Sequence, residues 1–278
     1  MRQRYGLTWN GDPRVKPPFG SVQINQGHPL AGDMISCILL NETGGGRIID
    51  LAAQGQVVTL VGMPWASTAQ GWGVDNNSDG DEIDWQPGIS VAAGSHFSDF
   101  WIVAVDTYNG GNSGGWRSGA ASNGTSFHII NVAARTVYVR WNGVDILPTT
   151  GGDARPSSGL YSDGLTIVNA TRASTYLNGR QDRSATHATA TAAFTINNHG
   201  WQNATSERID GRWVVRYLWR RPLSSDEHRW LHVEPYTFLR PRVYRRYFVP
   251  AAAGGRTTKN TRSWPLGVEI GMGWQMPV

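Results

Sequence analysis

The chain has 278 residues, 34 glycines, 13 tryptophans, one cysteine and a net charge of +4. That length is ample for a large core, and the abundant glycine between short apolar runs favours an all-β chain with many turns. A lone cysteine excludes an internal disulfide, no apolar run approaches the roughly 20 residues of a membrane span, and the first residues show no apolar signal-peptide segment.

In chain order, residues 1–20 read as an extended arm, because Pro13, Pro17, Pro18 and Gly20 oppose regular structure. Strand signals follow at Ser21–Asn25, Met34–Asn41, Ile48–Leu51 and Gln56–Val61, with Gly44-Gly45-Gly46 as a turn. Cys37 lies inside the second of these runs and reads as a buried structural thiol. Trp72–Val74 and Glu82–Trp85 flank an acidic, Asn-rich loop. Phe97–Val105 is a strong strand, and Ser126–Asn131 with Thr136–Asn142 look like a strand pair. Leu165–Asn169 and Ser174–Leu177 come next, the latter ending at Asn178-Gly179, a strong short hairpin signal. Ala185–Ala193 is rich in Thr and Ala and reads as an edge or loop, followed by Phe194–Asn197.

Arg212–Trp219 has the apolar, aromatic character of a half-buried strand. After it, Ser224 fits a helix N-cap with Glu227 completing a capping box, and Pro235 closes the helix. His228 and His232 are four apart on that helix, and Arg229 stands where a zincin motif needs Glu, so they read as a solvated or packing pair. Val243–Val249 is one more strand-like run. The final stretch is apolar again, and it needs cover from its own domain or a neighbour. Between Glu207 and Arg262 there are thirteen Lys/Arg and five Asp/Glu, a balance of +8 that leaves −4 for the rest. The cations are nearly all Arg, which suits carboxylate-rich or phosphate surfaces. No nucleic-acid motif accompanies them, so an anionic protein partner or a solvated face is favoured over nucleic acid.

Four segments carry a family resemblance. INQGHPLAGDMISCILLNETGGGRIIDLAAQG (Ile24–Gly55) resembles "INWGHPLAxGLVGCWLFNEGGGxxxxDLSGxG", and TYLNGR (Thr175–Arg180) resembles an "lYVNG" hairpin. RRPLS with DEHRWLHVEP resembles "NRALS" followed by "xxEIxxLYxNP". EPYTFLRPRVYRRYFVPAAAGG (Glu234–Gly255) resembles "NPWQIFxPRRxxxYFVPAAA". Together they resemble the LamG-like (concanavalin A-like) sandwich of bacteriophage and prophage proteins. The resemblance implies an all-β, two-sheet antiparallel jelly roll over residues 21–240, with one short C-terminal helix. Residues 1–20 would be an N-terminal arm and 241–278 a C-terminal strand and extended tail, both able to reach neighbouring subunits.

The function implied is a virion structural protein, a head decoration or cement protein or another particle-surface protein, located in the virion and assembled in the host cytoplasm. Its partners would be capsid or tail subunits and further copies of itself, with no membrane role. Arg245, Arg246, Trp264, Leu266, Ile270 and Trp274 are the candidate docking residues. The alternative is a lectin-like tail or fibre protein that binds host glycan, with Trp72, Trp85 and Trp116 as stacking surfaces.

Two constellations invite chemistry. Asp75, Asn77 and Asp79, with Gly80, match the first half of a calcium loop and Asp81 adds a further side-chain oxygen, though position twelve is Gln86; the other reading is a solvated turn. Glu82-Ile83-Asp84-Trp85-Gln86 resembles the "EIDxE" strand of family 16 glycoside hydrolases, which share the sandwich. Alternation puts Glu82, Asp84 and position 86 on one face. Retaining hydrolysis needs paired carboxyls about 5–5.5 Å apart. Gln86 cannot supply one, so the strand reads as a defective site and the chain as no enzyme.

Overall fold

The structure is a computed structural model that describes residues 9–52, 56–78, 81–109, 112–113, 116–117, 126–127, 129–131, 134–141, 144–147, 151–186, 193–199 and 208–242. The first half of the chain forms β1 (Val22–Ile24), a 3-10 turn at Pro29–Ala31, β2 (Met34–Ile38), β3 (Arg47–Ile48), β4 (Val57–Val61), β5 (Trp65–Thr68), β6 (Gly71–Asn76), β7 (Glu82–Val91), β8 (Phe97–Asn109), β9 (Asn112–Ser113), β10 (Trp116–Arg117), β11 (Ser126–Phe127), β12 (Ile129–Asn131) and β13 (Thr136–Trp141). The second half adds β14 (Val144–Leu147), β15 (Gly159–Val168), β16 (Arg172–Leu177), β17 (Arg180–Thr186), β18 (Phe194–His199), β19 (Arg208–Trp219), α1 (Ser225–Val233) and β20 (Leu239–Pro241).

The strands make an antiparallel β-sandwich. One sheet has the order β17-β16-β15-β8-β19-β6-β5, with β2 also paired to β19. Facing it are a sheet of order β11-β10-β18-β7-β4-β3 and a smaller one of order β14-β13-β12-β9. The apolar phase of these strands fills the space between: Ile83, Trp85 and Ile89 of β7 meet Trp101, Val103, Leu165 and Trp213. The opposite face of the large sheet is covered too. There Phe100, Ile102, Val215, Tyr217 and Trp219 pack under Leu231 of α1, Leu30, Trp9 and Tyr236. The molecule therefore has three layers, and the large sheet is apolar on both faces, as a central layer must be.

Several local signals hold. Asn178 and Gly179 both have positive φ, 50° and 72°, and turn β16 into β17. The Ser224 hydroxyl accepts from Glu227 N, and the Glu227 carboxylate accepts from Ser224 N. Cys37 is buried on β2, and burial pushes its thiol well up, with Asp50 adding to the effect. Ser126–Asn131 divides: β12 pairs with β13, whereas β11 joins β10 in the other sheet. The Val243–Val249 run lies outside the described residues.

The arm differs from expectation. Residues 9–20 pack on their own sandwich. Trp9 is buried and its Nε1 donates to Val15 O at 3.0 Å. Asn41 Nδ2 donates to Pro17 O at 2.7 Å, and Tyr236 N to Pro13 O at 3.0 Å. The cause lies in β19. Its register against β8 shifts between Trp213 and Val215, so Val214 is an extra residue. Lys16 Nζ donates to Val214 O at 2.7 Å, to Leu40 O at 3.1 Å and to Trp72 O. Burial pulls the ammonium pKa well down, while Glu42 opposes that. One lysine thus satisfies a bulge carbonyl and straps the arm across three chain segments.

Candidate functional site

β7 presents the row the sequence suggests. Glu82 and Asp84 are half-buried and Gln86 is exposed, on the face away from the core. Cross-strand pairing sets Val61 beside Glu82, Thr59 beside Asp84 and Val57 beside Gln86. Val57 and Val61 are themselves exposed. Gln86 Nε2 donates to Asp84 Oδ2 at 2.6 Å, so position 86 ties up Asp84 and brings no second carboxyl to it. The row is an open sheet face with acidic, amide and apolar side chains.

Trp85 corrects one sequence expectation. It is 1% exposed and packs in the inter-sheet core, so it offers no stacking surface. The reason is the period of two: between Asp84 and Gln86, its side chain must take the opposite face. Trp72 on β6 is 44% exposed and does offer one. For Trp116 the description extends only to the backbone, which pairs with Phe127 and His199.

The acidic loop is held by its own hydrogen bonds. Asn77 Nδ2 donates to Asp75 Oδ2 at 2.9 Å. Asp81, buried, accepts on Oδ2 from Asn77 N at 3.1 Å and from Ser78 N at 2.9 Å. A carboxylate oxygen facing two N–H donors closes a turn, and it does not fit a calcium cage. Asp79 lies outside the described residues, and among those described no group of three or more His, Cys, Asp or Glu is arranged to hold a metal. Asp75 sits near Arg212, Asp106 and Asp210, and burial raises its pKa. Arg212 Nη2 donates to Asp106 Oδ2 at 2.9 Å. The docking candidates Arg245, Arg246, Trp264, Leu266, Ile270 and Trp274 all lie outside the described residues.

The helix histidines divide, His228 being buried and His232 exposed. His228 stacks on Tyr176 with ring centroids 3.8 Å apart, and its Nε2 lies 2.9 Å from Thr166 Oγ1. His232 Nδ1 lies 2.9 Å from Ser162 Oγ. A Cβ on Gly164 would stand 2.5 Å from His228 Nδ1, so the sheet admits this imidazole through a glycine window.

Sequence reasoning missed a buried charge network between the sheets. Pairing sets Arg216 beside Trp101, and Trp101 beside Asp163, on one core-facing row. The Arg216 guanidinium lies 3.6 Å from the Trp213 ring centre and 3.9 Å from that of Trp101. Burial pulls its pKa well down, with Asp99, then Tyr161 and Asp163, opposing. Arg155 donates from Nε and Nη2 to Asp163 at 2.8 and 2.9 Å, and from Nη1 to Asp182. Burial lowers the Arg155 pKa, but the two aspartates outweigh it and raise the group overall. Tyr108 joins through a 3.2 Å contact to the Tyr161 hydroxyl, and burial leads the causes that push it up to about 12. The available signal was charge at a core phase, Asp163 within Leu160–Val168, but the β19 bulge hides the phase of Arg216.

With this geometry the protein belongs to the antiparallel β-sandwiches, and comparison with solved structures agrees. Trypanosoma rangeli sialidase is similar over 81% of this chain and 37% of its own length, at 13% identity and a TM-score of 0.56. Its complex with the inhibitor DANA matches 71% of this chain and 32% of that one, at 15% identity and a TM-score of 0.54. Domain 4 of a GH43 extracellular arabinanase from Geobacillus stearothermophilus, in complex with arabinotriose, covers 76% of this chain and 99% of that one, at 12% identity and a TM-score of 0.48. The chain spans about a third of the length of the sialidase chains, and the likeness is one of fold. No family model matches the sequence. No curated protein matches it.

Proposed function

We propose that this chain is a structural protein of a bacteriophage particle, a head decoration or other surface subunit that binds neighbouring virion subunits. The observation that supports this is where the phage-like segments lie. They converge on one closure of the sandwich. Trp219 Nε1 donates to Leu30 O at 2.7 Å, and Arg221 donates to Gly32 O and Pro29 O at 3.2 and 3.1 Å. Arg220 N donates to Asp33 O at 2.8 Å. His28 meets Trp230 of α1 with ring centroids 4.8 Å apart. A Cβ on Gly179 of the hairpin would stand 2.8 Å from Arg229 Cα of the same helix. The GHPLAGD opening, the YLNGR hairpin and the RRPLS-helix segment are one unit. The test is the proteome and cryo-EM map of the purified particle. Its absence from the particle overturns the reading, and deletion of residues 256–278 is expected to abolish attachment.

A second reading, glycan binding for host attachment, is favoured by the exposed indole of Trp72. A glycan array blank with and without calcium argues against it. The Gln86–Asp84 bond supports a non-enzymatic role. Release of sugar product by the native chain, lost in Glu82→Gln, overturns that role.

A further inference from the structure

An open groove of about 660 Å³ lies at one end of the sandwich, within the range of about 300–1,000 Å³ common for small-molecule sites. Ser90 of β7, the Ser95–His96 turn before β8, Ala193 and Thr195 at the start of β18, and Arg220 after β19 line it. The neighbouring sheets therefore each contribute a wall.

Two side chains there are aimed by the fold. Arg220 is anchored by its backbone N to Asp33 O at 2.8 Å, and its Nη2 donates across the groove to Ser90 O at 3.3 Å. A guanidinium carries five N–H donors, so this bond orients the fork and leaves donors over. Among the described residues Arg220 has no ion-pair partner, unlike Arg155, Arg212 and Arg221. His96 Nδ1 accepts from Asn169 N at 3.4 Å, which assigns the ring proton to Nε2 as a donor. The hydroxyls of Ser90, Ser95 and Thr195 complete a rim of small polar groups on a partly apolar floor of Val91 and Ala193.

We propose that this groove binds an anionic sugar, with Arg220 forking the acidic group, His96 donating beside it and the hydroxyls meeting the sugar hydroxyls. The shared chemistry is an oxyanion on a polyol, from either a carboxylate or a phosphate. The site is separate from Trp72 and independent of the structural role.

The experiment is an NMR titration of the full isotope-labelled chain with glucuronate, glucose 6-phosphate and neutral glucose. Saturable shifts at Ser95, His96 and Thr195 with either acidic sugar, and none with glucose, are expected. Which acid binds names the source of the charge. Arg220→Gln, which keeps the backbone bond to Asp33, is expected to weaken binding about tenfold or more. Arg172→Gln on β16 is the matched control and leaves it unchanged. Binding of glucose as strong as that of the acids, unchanged affinity in Arg220→Gln, or no saturable shift with any acid in millimolar excess overturns the proposal.

Discussion

On the outer face of β7, Glu82, Asp84 and Gln86 stand at the surface with one amide–carboxylate bond between them. Across the sandwich, Asp99, Asp163 and Arg216 occupy strands of the same alternating kind and are fully buried. The difference is company. The outer carboxylates are solvated, so their neighbours need not be charged. Asp163 has exchanged water for the Arg155 fork, and the Arg216 guanidinium for two indole faces. Charge inside a sandwich is tolerated where the network closes, and removing one member leaves an uncompensated buried ion.

That contrast is easiest to break from the inside. Asp163→Ala strips Arg155 of its bidentate partner, and urea unfolding is expected to show a loss of about 3–5 kcal/mol. Next comes the glycine window. Gly164→Ala drives a methyl into His228, which stacking on Tyr176 holds in place, and about 1–3 kcal/mol is expected to be lost by the same assay. Ser224→Ala removes the helix cap and costs about 1 kcal/mol. The smallest effect belongs to the outer face, where Asp84→Asn is expected to stay within about 0.5 kcal/mol of the parent. A large loss there would erase the distinction between the two faces.

Glu227 sharpens the comparison through pH. Burial pushes its pKa up, but the bonds from Arg221 and Ser224 N outweigh this and hold it below the ordinary glutamate value of 4.5. A carboxylate depressed on folding contributes stability that is complete above its unfolded pKa. That contribution is lost as pH falls through the folded value. Unfolding followed below the ordinary glutamate value of 4.5 should therefore show a steeper acid loss in the native chain than in Glu227→Gln. Equal slopes would remove Glu227 as an acid-sensitive brace.

Local chemistry carried far in this chain. The Ser224–Glu227 capping box, the Asn178-Gly179 turn, the alternation of β7 and the β-branched and aromatic runs were legible because each depends on residues a few positions apart. The sandwich class follows from their sum. What needed the tertiary structure depends on register between distant strands. A one-residue bulge at Val214 decides that Arg216 enters the core between two indoles, and the carbonyl it frees draws Lys16, 198 positions away in sequence, onto the sheet. The pairing of distant strands also gathers His96 and Arg220 at one groove. Periodicity tells which residues alternate; only the paired strands determine what each phase meets, because a one-residue shift exchanges the two faces.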